Sequence, residues 1–214
     1  VNQDYGNVKG ITLSLKKKIT KHNPVGFSID YTYQVAEGNN NDTDAFFYNS
    51  LSGQATIKEI VPLDWDQPHN LYAVVTVAPS DRFTTSIIGK ISSGYPYSPF
   101  IYNQDFNYDI KPNSDRKPLQ RYVDLQSSYR FTVGDYHFTI FTKIYNLFDT
   151  LNERYVYDDT GRATYTFANR NQQETDTLIK HYGEPGVHKW EEYINRPDYY
   201  TAPREVRLGL TVEF

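Results

Sequence analysis

The chain has 214 residues, 38% of them hydrophobic, a net charge of -4 and no cysteine. That length suffices for one domain with a core, the lack of cysteine excludes a disulfide framework and thiolate metal sites, and the acidic balance, with no basic cluster beyond Lys16, Lys17 and Lys18, excludes a general nucleic-acid binder. No apolar run reaches the length of about 18 residues needed for a transmembrane helix, whereas strands that cross a membrane dilute their hydrophobicity by alternation, so a mean hydropathy of -0.67 does not bear on them.

The first strand is expected from about Tyr5 to Ile19, with Ile11, Leu13 and Leu15 on one face and Gly10, Thr12, Ser14 and Lys16 on the other. Asn23-Pro24 marks a turn. From Val25 to about Glu37 the alternation is cleanest: Val25, Phe27, Ile29, Tyr31, Tyr33 and Val35 oppose Gly26, Ser28, Asp30, Thr32 and Gln34. Eleven residues at roughly 3.4 Å each, tilted by about 45°, cover roughly 25 Å, the height of the apolar band of a membrane barrel. The stretch EGNNNDTDAFFYNSLSG, continuing to Trp65-Asp66, is too rich in Asn, Asp and Gly for one strand and reads as a long loop. A third strand begins near His69 and carries Leu71, Ala73, Val75 and Val77 on one face. After a tight turn at Ala78-Pro79-Ser80-Asp81, Phe83, Thr85, Ile87, Gly89 and Ile91 alternate with Arg82, Thr84, Ser86, Ile88, Lys90 and Ser92, which makes a hairpin.

Residues Ser93 to Pro118 form a second long loop, because prolines on this scale forbid a central strand. The fifth strand aligns Val123, Leu125, Tyr129 and Phe131 against Asp124, Gln126, Ser128 and Arg130, and Val133-Gly134-Asp135 turns the chain. The sixth sets Tyr136, Phe138, Ile140, Thr142 and Ile144 against His137, Thr139, Phe141, Lys143 and Tyr145, with Phe141 and Tyr145 interrupting a polar face. From Asn146 to Ala202 runs the longest non-spanning segment. It holds an expected hairpin over ERYVYDDTGRATYTF, turning at Asp159-Thr160-Gly161, and an expected short helix from Thr175 to Tyr182 stopped by Gly183. The closing strand puts Val206, Leu208, Leu210, Val212 and Phe214 on one side and Arg207, Gly209, Thr211 and Glu213 on the other.

The connections alternate short and long along the whole chain, as in an up-and-down membrane barrel with tight turns at one rim and long loops at the other. The fold expected is therefore all-β: an antiparallel up-and-down transmembrane β-barrel segment of about seven spanning strands. Bacterial single-chain barrels are even-numbered, and an open sheet would leave an edge unpaired in lipid at several kcal/mol per backbone group. Residues 1–214 are accordingly expected to be an incomplete arc of a larger barrel.

Five motifs in order, NVKGITLSL, PLDWDQPHNL, KIYNLFD, VYDDTGRATY and RPDYYTAPREVRLGLTVEF, span nearly the whole length. In them the chain resembles the C-terminal barrel part of a TonB-dependent outer-membrane receptor. The resemblance implies a Gram-negative outer-membrane location and a parent barrel of about 22 strands around an N-terminal plug. It further implies active uptake of a scarce bulky nutrient such as a siderophore, cobalamin or an oligosaccharide, driven through the TonB protein. Plug and TonB box do not occur in these residues, so transport belongs to the parent. Implied partners are outer-membrane lipid, the plug and remaining strands, TonB through the plug, and the barrel-assembly machinery. That machinery would read the closing strand, Val206, Leu208, Leu210, Val212 and the terminal Phe214.

On this reading Asp30, Lys90, Asp124, Arg130, Lys143, Arg207 and Glu213 either line a substrate path or form the charge-paired wall of the lumen. Tyr95, Tyr97, Phe100 and Tyr102, and likewise Trp190, either stack on a ligand ring or anchor the chain at the membrane interface. Trp65 between Asp64 and Asp66 is either an anchor where a strand starts or part of a cation site. The spacing of His181 and His188 matches no zinc pattern, so no metal or other cofactor is expected. Without a Ser/His/Asp order, a phosphate-cradling glycine loop or paired carboxylates in one pocket, no enzyme activity is expected. The alternatives are a passive porin or adhesin barrel and a secreted all-β module whose aromatics grip glycans.

Overall fold

The computed structural model describes residues 5–39, 59–100, 111–167, 172–183 and 195–214, for 172–175 the backbone alone. In chain order the strands are β1 (Gly6–Lys17), β2 (Val25–Gly38), β3 (Val61–Pro62), β4 (His69–Ser80), β5 (Phe83–Ser92), β6 (Pro96–Tyr97), β7 (Asp115–Arg116), β8 (Gln120–Val133), β9 (Tyr136–Tyr145) and β10 (Glu205–Glu213). The seven long ones form one antiparallel sheet in the order β1-β2-β4-β5-β8-β9-β10, a pure up-and-down meander. The short β3 adds to the end of β2, and β6 and β7 pair with each other away from the sheet. Among the described residues β1 and β10 each pair on one side only, so the sheet is open.

The register gives this sheet two unlike faces. Ile11, Leu13 and Leu15 lie opposite Tyr33, Tyr31 and Ile29, and the row continues through Leu71, Ala73 and Val75 to Ile91, Gly89 and Ile87. It runs on through Val123 and Leu125 to Ile144, and ends on β10 with Val206, Leu208, Leu210 and Val212. This apolar face stays uncovered: Ile11 is 67% exposed and Leu208 75%. Two of its few polar members, Thr85 and Ser127, are cross-strand partners whose hydroxyls bond each other at 2.7 Å. Mutual pairing of that kind removes the cost of leaving a hydroxyl alone in an apolar setting.

The other face carries Asp30, Lys90, Asp124, Arg130, Lys143, Arg207 and Glu213, as the alternation predicts. Its groups bond across strands, with Thr12 to Thr32 at 3.0 Å, Ser14 to Asp30 at 2.5 Å and Thr76 to Ser86 at 2.9 Å. The two aromatic interruptions have physical reasons. The Phe141 ring lies over Gly209, its cross-strand partner, where a Cβ would collide with it, and Tyr145 lies beneath the Arg207 guanidinium, 5.0 Å from its centroid.

Two local expectations need correction. The turn expected at Ala78–Asp81 is displaced toward its end; β4 continues to Ser80, with a register shift between Val77 and Ser80. Pro79 has no N–H to give the ladder, so the strand bulges past it before the chain reverses at Asp81-Arg82. The hairpin expected after Glu153 shrinks to a single bridge between Tyr157 and Arg162 around a turn at Gly161, whose φ is +66°. Side chains there take the backbone donors a ladder would use: Glu153 accepts the Ala163 N–H at 2.6 Å and Asp159 the Phe167 N–H at 2.6 Å. The helix, by contrast, runs Gln172–Tyr182 and ends at Gly183, φ +76°. The two-residue turn at Gly134-Asp135, with Gly134 at φ +61°, also lies where the sequence places it.

Candidate functional site

The polar face and the long connections meet at one end of the sheet, and most of the buried residues there are polar: Asp66, Gln67, Ser92, Asn113, Gln120, Asn146, Asn152 and Glu153. Loops with few apolar side chains can hold a fixed shape only if such groups find partners. Asp66, 1% exposed, accepts the Ala36 N–H at 2.6 Å and pairs with the Arg116 guanidinium, which also donates to the Asp66 carbonyl at 2.9 Å. Neighbouring Asp64 takes the side-chain amide of Asn113 at 2.7 Å. The cation beside the Asp64-Trp65-Asp66 carboxylates is thus an arginine of the next loop.

The third loop is tied down in the same way. Asn152 makes a reciprocal pair with the Arg121 backbone, at 2.9 and 2.8 Å, and Asn146 donates its N–H to Asp124 at 2.8 Å and its amide to the Thr150 and Ala202 carbonyls. Glu153 receives Arg162 at 2.8 and 3.0 Å, which holds the arginine's proton more firmly than usual.

Against this scaffold lies a cavity of about 600 Å³, within the range of small-molecule sites. Its floor is a cross-strand row, Tyr72 on β4, Lys90 on β5 and Tyr122 on β8, with Asp124 one step further along. Loop residues Tyr95 and Arg154 complete the walls. Thr201 also lines it, and its buried hydroxyl has no protein partner among the described residues. Two cations, a carboxylate and three phenolic rings suit reversible binding of a polar molecule that presents anionic or hydrogen-bonding groups together with a flat face.

Of the loop aromatics singled out in the sequence, Tyr95 reaches this cavity. Tyr97 is buried between loops instead: its hydroxyl donates to Asp115 at 3.0 Å, and its ring occupies the space a Cβ on Gly161 would need. Burial, then the Asp115 bond, pushes the Tyr97 phenol up to about 12. Phe100 is half exposed, with its N–H on the Asp158 carbonyl at 3.0 Å. Tyr102, Trp190 and His188 lie outside the described residues. Of the polar-face residues, Lys90 and Asp124 line the cavity. Asp30 sits with Ser14, Ser28 and Lys16 on β1 and β2, and Arg130 and Glu213 lie toward the short turns. Burial lowers the proton affinity of Lys117, whose ammonium donates to the Arg154 carbonyl at 3.1 Å and so helps set the cavity wall.

Sequence reasoning passed over Tyr72, Tyr122 and Arg154. The first two carried a usable signal, being large aromatics on the polar phase of their strands. Arg154 had none, since its position depends on how the third loop folds back. Among the described residues no group of three or more His, Cys, Asp or Glu is placed to hold a metal ion. Compared with known protein families, with curated proteins and with solved structures, the chain matches none of them.

Proposed function

We propose that the chain is the C-terminal arc of an outer-membrane β-barrel belonging to a TonB-coupled receptor, which imports a scarce bulky nutrient such as a siderophore, cobalamin or an oligosaccharide. The observation that carries this reading is the continuous apolar face across seven meandering strands, uncovered over its whole width. In water such a surface would far exceed the patch a monomer leaves exposed, whereas hydrocarbon is its natural solvent. A glycan-binding sandwich would seal the same valines, isoleucines and phenylalanines beneath a second sheet. Short turns gather at one rim and the long connections at the other, so the loop rim is the side that meets ligand and the cavity beneath it is a subsite of the uptake path. The two open edges take further strands of the same barrel, since an unpaired edge is not tolerated in lipid.

The test is fractionation of the full-length protein. Recovery in a detergent-resistant outer-membrane fraction, with a band that shifts in electrophoresis on heating, is the expected result. Release as soluble protein overturns the reading.

A further inference from the structure

The lysines grouped at the end of β1 and in the turn after it are left over from the pairing that orders the polar face. Lys16 leans on Asp30, with 3.9 Å between the charged atoms, whereas Lys17, Lys18 and Lys21 are exposed and make no ion pair among the described residues. They surround a well-built turn. Thr20 and Asn23 exchange backbone hydrogen bonds at 3.0 and 3.1 Å, and the Asn23 side chain accepts the Val25 N–H at 3.0 Å. Ile19 lies against Gly26, where an added Cβ would stand 2.9 Å from it. Like charges fixed around one turn repel one another until an anion joins them. The other two turns at this rim, Asp81-Arg82 and Gly134-Asp135, carry no excess of positive charge, so the cluster is local.

The position of the cluster selects the anion. Lys17 continues the row Ile11, Leu13, Leu15 and lies opposite Phe27 on β2, so it ends the apolar face at the short-turn rim. A lysine at such a border lays its aliphatic stem along apolar surface and turns its ammonium to the water. The matching partner is an amphiphile, with acyl chains against Leu15 and Phe27 and negative charge level with the ammonium groups. A soluble anionic polymer matches the charge but has no use for the apolar neighbours. We propose, on the strength of the membrane reading above, that Lys17, Lys18 and Lys21 hold the phosphate headgroups of anionic phospholipid in the periplasmic leaflet of the outer membrane. The short-turn rim faces that leaflet, where the phospholipids of this membrane lie.

The experiment compares full-length wild type, Lys17→Gln, the triple variant Lys17→Gln, Lys18→Gln, Lys21→Gln, and Lys180→Gln as a control at the loop rim. Each is reconstituted with equal amounts of phosphatidylglycerol and phosphatidylethanolamine of the same acyl chains, so that only headgroup charge differs. Lipids still bound after detergent exchange are counted by native mass spectrometry, and the heat shift of each variant confirms folding. Wild type and Lys180→Gln are expected to retain phosphatidylglycerol in preference to phosphatidylethanolamine. Lys17→Gln should lower that preference about fivefold, the worth of one basic side chain beside an anionic membrane surface, and the triple variant should lower it further. No preference in wild type, or an equal preference in all four proteins, overturns the lipid site while leaving the barrel standing. So does an unchanged preference in a triple variant that has instead lost binding to isolated cell-wall sacculi. Soluble, heat-insensitive protein overturns both readings.

Discussion

The sheet and its loop rim are built on opposite plans. Across the sheet the large aliphatic side chains point out and remain exposed, and cohesion comes from the ladder and from paired polar groups on the other face. At the loop rim the interior is made of Asp66, Asn113, Asn146, Asn152 and Glu153, each hydrogen-bonded to backbone or to a partner side chain. The contrast is the one expected if, as proposed above, two solvents shape one chain. Strands facing hydrocarbon need no apolar core, and loops facing water but short of apolar residues must use charge and amide pairing to stay ordered.

Perturbations of the two regions should therefore respond to different conditions. The largest effect is expected at the rim, where Asp66→Ala strands the Ala36 N–H and the Arg116 charge. The cost is about 3 kcal/mol, the low end for a broken buried pair because Arg116 is a third exposed, read as the shift in urea unfolding of the folded protein. Next comes the sheet. Ile87→Lys should cost about 2–3 kcal/mol when unfolding is measured from a bilayer, the lower part of the range because a long lysine can snorkel, and Thr84→Lys, on the opposite face of the same strand, under about 0.5 kcal/mol; equal costs would dissolve the distinction between the faces. Smaller still is Gly161→Ala, which forces an L side chain into φ +66° and against the Tyr97 ring. A loss of about 1–2 kcal/mol is expected, seen as faster proteolysis within residues 146–204.

The mildest test is pH. The Tyr97 phenol titrates near 12 when folded and near 10 when free, so the folded chain keeps its proton after the unfolded chain has lost it. Its contribution is complete below about 10 and disappears as pH rises toward about 12. Tyr97→Phe should remove that slope and one late-titrating phenol from the ultraviolet absorbance titration.

How much was legible in the sequence differs between the same two regions. Strict alternation in segments such as Val25–Val35 and Val206–Phe214 identifies the strands and their two faces, because side-chain direction in a strand depends on nothing beyond the next residue. Gly183 and Gly134 likewise mark a helix end and a turn through their own backbone freedom. The loop rim was opaque. Tyr97 and Tyr95 are two residues apart, yet one is buried against Gly161 and the other lines the cavity. Nothing local distinguishes them, because the partners lie in loops far along the chain.

By itself, then, the sequence determined the all-β character, the long meandering strands and the division of residues between an apolar and a polar face, all of which follow from period-two order along the chain. Only the tertiary structure decided the register that stacks Tyr72, Lys90 and Tyr122 in one row, the capture of Asp66 by Arg116, and the burial of Tyr97 against Gly161. Those features join residues on different strands or loops, and their energies depend on distances that no single stretch of chain contains.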